Sequence, residues 1–463
     1  MKRYIIALLA AVGVCGGAAA QIKTAYFMEG SYFRTDMNPA LAPTRGYIQM
    51  PGLGGIGVSM NNNFLSVENF LYKRDGKVVT FLNNGIPTDD FLKKLPNTGK
   101  LDVDTQVNIL GFGGHTKKMF WNAGINVRAN AELAMKKDVF RLLKTLGSGH
   151  YDLTGTNVAA QSYLEMYVGF AIPIKDYITI GFRVKGLIGA ANAKGDITSM
   201  YADVTDEAVR AELAGNIRGN SPYFRNDYEV GEEFDFDKIK RGDFKDVLKN
   251  IKSGGAAVDL GVEVRLLDDR LKVSGAITDL GFICWHGNST VNLDANGFFN
   301  YEGVDFDKGD AISDSDFNAT MAQPSGKYTS RLNCALNLGV EYNILNNHIA
   351  FGLLSHSKFC QTFSYTELTA SVNFRLGRWF TTTLSHTFLN RNKLGIFGFA
   401  LNMHPAGLNL FLGADYIGCS YAKLDNAPIP KTMKSANFYF GLGFNLGKAK
   451  YMKSMQPQPK KRK

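Results

Sequence analysis

"AVDLGVEVRL" runs from Ala257 to Leu266. Val258, Leu260, Val262, Val264 and Leu266 fall on one side of an extended chain, and Asp259, Gly261, Glu263 and Arg265 fall on the other, because successive strand side chains point to opposite faces. One face is oily and the other charged. The split recurs in "LNLFLGADY" from Leu408 and in "NFYFGLGFNL" from Asn437. A soluble sandwich also alternates, but segments such as Tyr163 to Pro173 and Phe120 to Leu133 keep the pattern for about ten residues or more. That is the length of a tilted membrane strand, against five or six residues in soluble sheets.

Alternating segments start near Tyr47, Leu101, Phe120, Gln161, Tyr177, Gly255, Leu271, Arg331, His348, Phe363, Trp379, Leu394, Leu408 and Ala436. That is fourteen, an even number as single-chain bacterial barrels require. The links "HTKKM", "IKD", "LDD", "LNN", "LGR" and "MHPAG" are short, whereas 62–100, 134–160, 192–254 and 285–330 are long. Short turns at one end and long loops at the other predict an all-β, 14-stranded antiparallel transmembrane β-barrel with both termini on the periplasmic side. The long loops carry helix-like pieces, "DEAVRAELAGN" from Asp206 and "FKDVLKN" from Phe244, so helix-containing extracellular loops are expected.

The ends have their own chemistry. Residues 1–20 read as a signal peptide, with Lys2 and Arg3, an apolar stretch, and Ala18-Ala19-Ala20 as the cleavage site. Cys15 follows Val14 rather than a small residue, which argues against lipidation. Lys2, Arg3 and the seven basic residues of 448–463 hold nine of the ten net positive charges, so the body is electrically balanced. That excludes a nucleic-acid partner. The tail 448–463, with Pro457 and Pro459 and no apolar period, is expected to be disordered in the periplasm. "YFGLGFNL", ending at Leu446, resembles the terminal-strand signal read by the barrel assembly machinery, although the chain continues past it to Lys463.

Residues 21–46 precede the barrel, which is assigned to 47–447. Tyr26, Phe27, Met28, Tyr32, Phe33 and Met37 make this segment too apolar to leave in water, so it is expected to pack inside. Within it, "RTDMNPALAP" (Arg34 to Pro43) is polar, proline-punctuated and hostile to helix. The triplet Asn38-Pro39-Ala40 resembles the N-terminal signature of FadL-type long-chain fatty-acid transporters and of PorV-like proteins of Bacteroidota. The whole chain is most similar to a family of uncharacterised outer-membrane proteins of that phylum. The resemblance implies that 21–46 is an N-terminal hatch in the lumen, with Asn38 bonding the wall and Pro39 fixing a turn. It implies residence in the cell outer membrane against its lipid, and transport of small hydrophobic or amphipathic molecules. The alternative it allows is a non-transporting PorV-like barrel that holds partners for a secretion or attachment system.

Arg128, Glu165, Arg183, Lys185, Glu263, Glu341, Arg375 and Asp415 all lie on the inward parity, which makes the lumen polar. Other motifs are weaker. "GLGGIG" (Gly52 to Gly57) mimics a dinucleotide loop but is followed by "VSMNNNF" rather than by a helix, so no cofactor is expected. Ser385 and His386 are neighbours on a strand and point to opposite faces, so they do not form a hydrolase pair, and the protein is not read as an enzyme. The seven histidines show no metal-ligand spacing. Asp305, Asp307, Asp310, Asp314 and Asp316 miss the regular calcium-loop spacing and read as a solvated loop. Cys284, Cys334, Cys360 and Cys419 form no CxxC and are read as free thiols; a rim disulfide between Cys284 and Cys360 would have to reach past the eighth strand.

Overall fold

The computed structural model describes residues 23–449, apart from 75–76, 146–148, 206–208, 223–251, 306–309, 322–325, 378, 389–395, 418–420, 425–426 and 431–434. The barrel strands are β1 (in two halves, Gly46–Gln49 and Ile56–Asn62), β2 (Thr98–His115), β3 (Phe120–Lys136), β4 (Asn157–Lys175) and β5 (Ile178–Val204). They continue with β6 (Ser253–Leu266), β7 (Leu271–Trp285), β8 (Tyr328–Arg331 and Cys334–Ile344), β9 (Ile349–Phe359) and β10 (Ser364–Leu376). The circuit ends with β11 (Phe380–Phe388), β12 (Ile396–Met403), β13 (Asn409–Ile417) and β14 (Ser435–Leu446). Each pairs antiparallel with its sequence neighbours. β14 returns to both halves of β1, with Gly46 opposite Leu446 and Ile56 opposite Phe440, so a 14-strand barrel closes. Closure leaves no unpaired edge, as a strand protein in lipid requires.

The outward face is apolar throughout. Val58, Val168, Val184, Leu260, Leu338, Leu353, Leu384, Leu412 and Phe438 are all exposed, on strands from β1 round to β14. A soluble monomer rarely exposes more than a few hundred Å² of contiguous apolar surface, and this belt circles the molecule, so it meets lipid. Trp121, Tyr177, Tyr342 and Trp379 are exposed close to the short turns, where amphipathic rings suit a membrane interface. Two of these turns use left-handed residues in threes: Leu267, Asp268 and Asp269, then Leu345, Asn346 and Asn347. Asp and Asn tolerate that conformation, which explains "LDD" and "LNN". A closed barrel of this kind is expected to be heat-modifiable on gels and to resist carbonate extraction; release without detergent would overturn the membrane assignment.

The long links hold more strand and less helix than their sequences suggest. The stretch after Asp206 forms a strand, Val209–Asn220, instead of a helix. It pairs with Asn192 to Val204, because β5 is 27 residues long and its upper half leaves the barrel with an unpaired edge. Satisfying that edge outweighs a weak helix propensity. The acidic stretch is likewise part of a hairpin, Thr290–Asp305 with Asp310–Met321, rather than an open loop; Asp307 lies outside the described residues. So do the piece from Phe244, the leader and most of the tail. Helices in the links are short: Val67–Phe70, Thr88–Lys93 and Asp138–Thr145. Phe64, Phe91, Leu95, Leu101 and Phe140 form a small core beneath them. "GLGGIG" spans the break in β1, with Gly52 at φ 72°, and runs into a strand. Cys284, Cys334 and Cys360 are free thiols, and Cys419 lies outside the described residues.

Candidate functional site: a charged lumen and the segment inside it

Residues 23–45 touch the wall all the way round. Phe33 packs on Tyr439 of β14 and Phe411 of β13, Arg183 of β5 reaches Asp36, Arg375 of β10 reaches the Phe27 carbonyl, and Asp415 of β13 binds the Lys23 backbone. One short segment can meet so many strands only from within. Tyr26, Phe27, Met28, Tyr32, Phe33 and Met37 are all buried there. The wall makes room with glycine: a Cβ at Gly181 would strike Pro39 and Ala40, one at Gly261 would strike Asn38, and one at Gly441 would strike Phe33. The decapeptide is not free of helix, since Arg34–Met37 makes one helical turn. Thr35 Oγ1 donates to the Tyr32 carbonyl at 2.8 Å, and Pro39 follows shortly after the turn.

Asn38 is fully buried. Its Nδ2 donates to Tyr26 Oη at 3.2 Å and to the wall carbonyls of Val262 and Gly275 at 3.4 Å each, and its Oδ1 accepts from the Ala40 N–H at 2.9 Å. Asn38→Ala leaves those acceptors short of a donor. It is expected to cost about 1–3 kcal/mol, read as a lower temperature for the gel mobility shift; an unchanged transition would show that the contact is idle.

Three sets of buried charges inside the barrel each contain one charge from residues 23–45. In the first, Asp36 pairs with Arg183 at 2.8 Å, and Lys185 lies 2.8 Å from Asp259, 2.6 Å from Asp279 and 3.6 Å from Glu165. Arg128 closes that set on Asp279 at 2.7 Å and Glu165 at 3.0 Å. In the second, Glu29 binds Lys272 and Arg375, and both cations also bind Glu341. In the third, Lys23 binds Glu367, while Asp415 accepts from the N–H groups of Lys23 and Thr24 at 3.0 and 3.2 Å. Glu263 stands apart, buried and paired with Arg265 at 2.9 Å. The Glu29 carboxyl is held below the usual carboxylate range: burial pushes it up, but the charges of Arg375 and Lys272 outweigh burial.

Arg128, Glu165, Arg183, Lys185, Glu341, Arg375 and Asp415 were named from strand parity, and the partners Lys23, Glu29, Asp36, Asp259, Lys272, Asp279 and Glu367 were not singled out. Asp279 has a specific cause. It is a β-bulge residue at φ 59°, and there the inward parity of β7 changes from even to odd positions. Val273 and Ile277 before it, then Leu280 and Phe282 after it, trace that slip in the sequence. A second bulge, Tyr416 at φ 63°, buries Asp415 and Tyr416 together beside Lys23. Ser385 is engaged by Thr24 Oγ1 at 2.6 Å.

Above this segment lies a polar cavity of about 50 Å³, lined by Lys23, Asp104, Arg128, Tyr163, Asp279 and Lys358 among others. Drug-sized ligand pockets are roughly 300–1,000 Å³. This cavity is therefore too small to hold a drug-sized molecule.

Fold and lumen together define a transmembrane β-barrel whose interior is occupied by its own N-terminal segment. The chain belongs to the Family of unknown function (DUF5723), whose model matches residues 39–415. No curated protein matches it. Among solved structures it is similar to a deltaS2 mutant of the monoaromatic hydrocarbon channel TodX, at 10% identity and TM-score 0.38, over 89% of this chain and 93% of that one. It is similar to the Ralstonia pickettii toluene transporter TbuX at 12% identity and TM-score 0.34, over 93% and 96%. It is also similar to a Pseudomonas aeruginosa FadL homologue at 11% identity and TM-score 0.27, over 90% and 94%. Likeness at this level carries no argument about cargo.

Proposed function

We propose that this protein is an outer-membrane transporter or channel for small solutes, and that residues 23–45 are a hatch that shuts its lumen at rest. The observation that carries the reading is how the segment is held. Among the described residues, no strand-ladder pair involves residues 23–45; the segment rests on wall glycines, aromatic contacts and one charge in each of three buried sets. It continues into the barrel through Arg45. Such a segment can leave without unpairing any barrel strand, so opening does not cost the fold. No observation favours the scaffolding alternative.

The residues lining the way past the hatch suggest the cargo. A solute passing Asp104, Arg128, Asp279 and Lys358 meets fixed charges, so amphipathic or polar molecules fit it better than purely hydrophobic ones. Liposomes carrying the protein without residues 23–45 should take up size-matched solutes in order of polarity, faster than empty liposomes. Equal uptake of all solutes by protein-containing and empty liposomes, with or without the hatch, would end the transport reading.

A further inference from the structure

Asp102, Glu132 and Cys360 sit at the upper end of the lumen, close to the polar cavity but outside the three charge sets. Asp102 of β2 and Glu132 of β3 are direct cross-strand partners, and Cys360 follows the end of β9 on the far wall. All three are buried, and one ligand-type atom from each lies within 4.8 Å of the others. Two carboxylates directly opposite on a ladder repel unless a cation lies between them. Lys358 answers part of this, 2.6 Å from Asp102 Oδ2, and it also binds Asp104. Glu132 accepts from Asn130, Asn333 and Thr362.

The other oxygen of Asp102 is the independent observation. Asp102 is 1% exposed, and its Oδ1 is buried without any hydrogen-bond partner. A buried carboxylate oxygen left bare costs about as much as a lost charged hydrogen bond, unless something cationic reaches it. The site already holds one ammonium, and Arg331 is engaged by the Phe359 and Cys360 carbonyls. Asp102 Oδ1 is therefore left for a further cation, and a small divalent ion is one that a carboxylate oxygen binds.

We propose that Asp102, Glu132 and Cys360 bind one divalent cation of the zinc class, tying the end of β9 to β2 and β3 across the mouth of the lumen. Two hard oxygens with one soft sulfur suit a borderline ion, whereas calcium and magnesium avoid thiolates. Zinc–ligand distances of about 2.0–2.3 Å put ligand atoms roughly 3.5 Å apart, so the widest gap must close by about 1 Å. On binding, the Cys360 thiol gives its proton to solvent and its sulfur lone pair forms the metal bond, with no change of oxidation state. Sequence spacing could not show this site, because Cys360 lies more than 200 residues from Asp102 and Glu132 in the chain.

The test uses the full-length protein in detergent, titrated with cadmium as a spectroscopic stand-in for zinc. One equivalent is expected to raise a thiolate-to-metal charge-transfer band and to release a proton. The band should persist when Cys15, Cys284, Cys334 and Cys419 are all serine, disappear in Cys360→Ser, and require at least about tenfold more metal in Glu132→Gln. The quadruple variant leaves the site untouched, so it decides the matter even where Cys360→Ser does not fold. Absence of the band in that variant, or its survival in a heat-modifiable Cys360→Ser protein, would overturn the proposal.

Discussion

Deleting residues 23–45 is expected to raise the permeability of reconstituted protein to small solutes at least about tenfold, while the barrel itself still folds and remains heat-modifiable. The deletion removes Lys23, Glu29 and Asp36, which would leave Arg183, Lys272, Arg375, Glu367 and Asp415 with fewer partners. In a dry interior each such charge would cost several kcal/mol. Once the segment is gone the lumen fills with water, which solvates them instead. The wall ladders are untouched, since none of their pairs includes residues 23–45. Liposome swelling measures the outcome. Unchanged permeability in a correctly folded deletion would mean that the segment seals nothing.

The second large effect is expected from Glu29→Gln. Glu29 is the single carboxylate that residues 23–45 contribute to the set containing Lys272, Arg375 and Glu341. Neutralising it leaves two buried cations to share Glu341. Breaking a buried pair from one side costs about 3 kcal/mol or more, which corresponds to roughly a hundredfold rise in the open fraction if the segment moves as a unit. Lys272→Met in the same background should recover part of the loss, because one of the stranded charges is gone. A double variant as leaky as the sum of its parts would show that the two residues act independently.

The same residue contributes to the pH response. Its folded pKa is lowered from the ordinary 4.5, so its contribution is fully present above pH 4.5 and is lost only as pH falls below that, towards the folded value. The part of the seal that Glu29 supplies, read as the permeability difference between the intact protein and Glu29→Gln, is therefore expected to stay constant from neutral pH down to about 4.5 and to shrink only in stronger acid. A difference that shrinks already between pH 7 and pH 5 would point to a different titrating group.

The opening alternation, "AVDLGVEVRL" and its counterparts, settled the strand number and which face meets lipid, because strand parity is local: each residue's side follows from its neighbours. The turn sequences "LDD" and "LNN" fixed one end of the barrel, since few residue types accept a left-handed backbone there. Strand starts came within a few residues, from Tyr47 against Gly46 to Ala436 against Ser435. The burial of Tyr26, Phe33 and Met37 was also legible, as an aromatic segment that water would not hold. What parity could not supply was partnership. That Arg183 meets Asp36, or that Lys185 meets Asp279, depends on the stagger of strands around a closed circuit and on bulges that turn an extra residue inward. The strand after Asp206, read as helix, was decided by an unpaired edge of β5 that exists only once the barrel has closed. Strand alternation in the sequence separated an apolar face from a polar one; tertiary structure alone decided which charges meet, because an ion pair across a barrel is a relation between strands and not a property of any one of them.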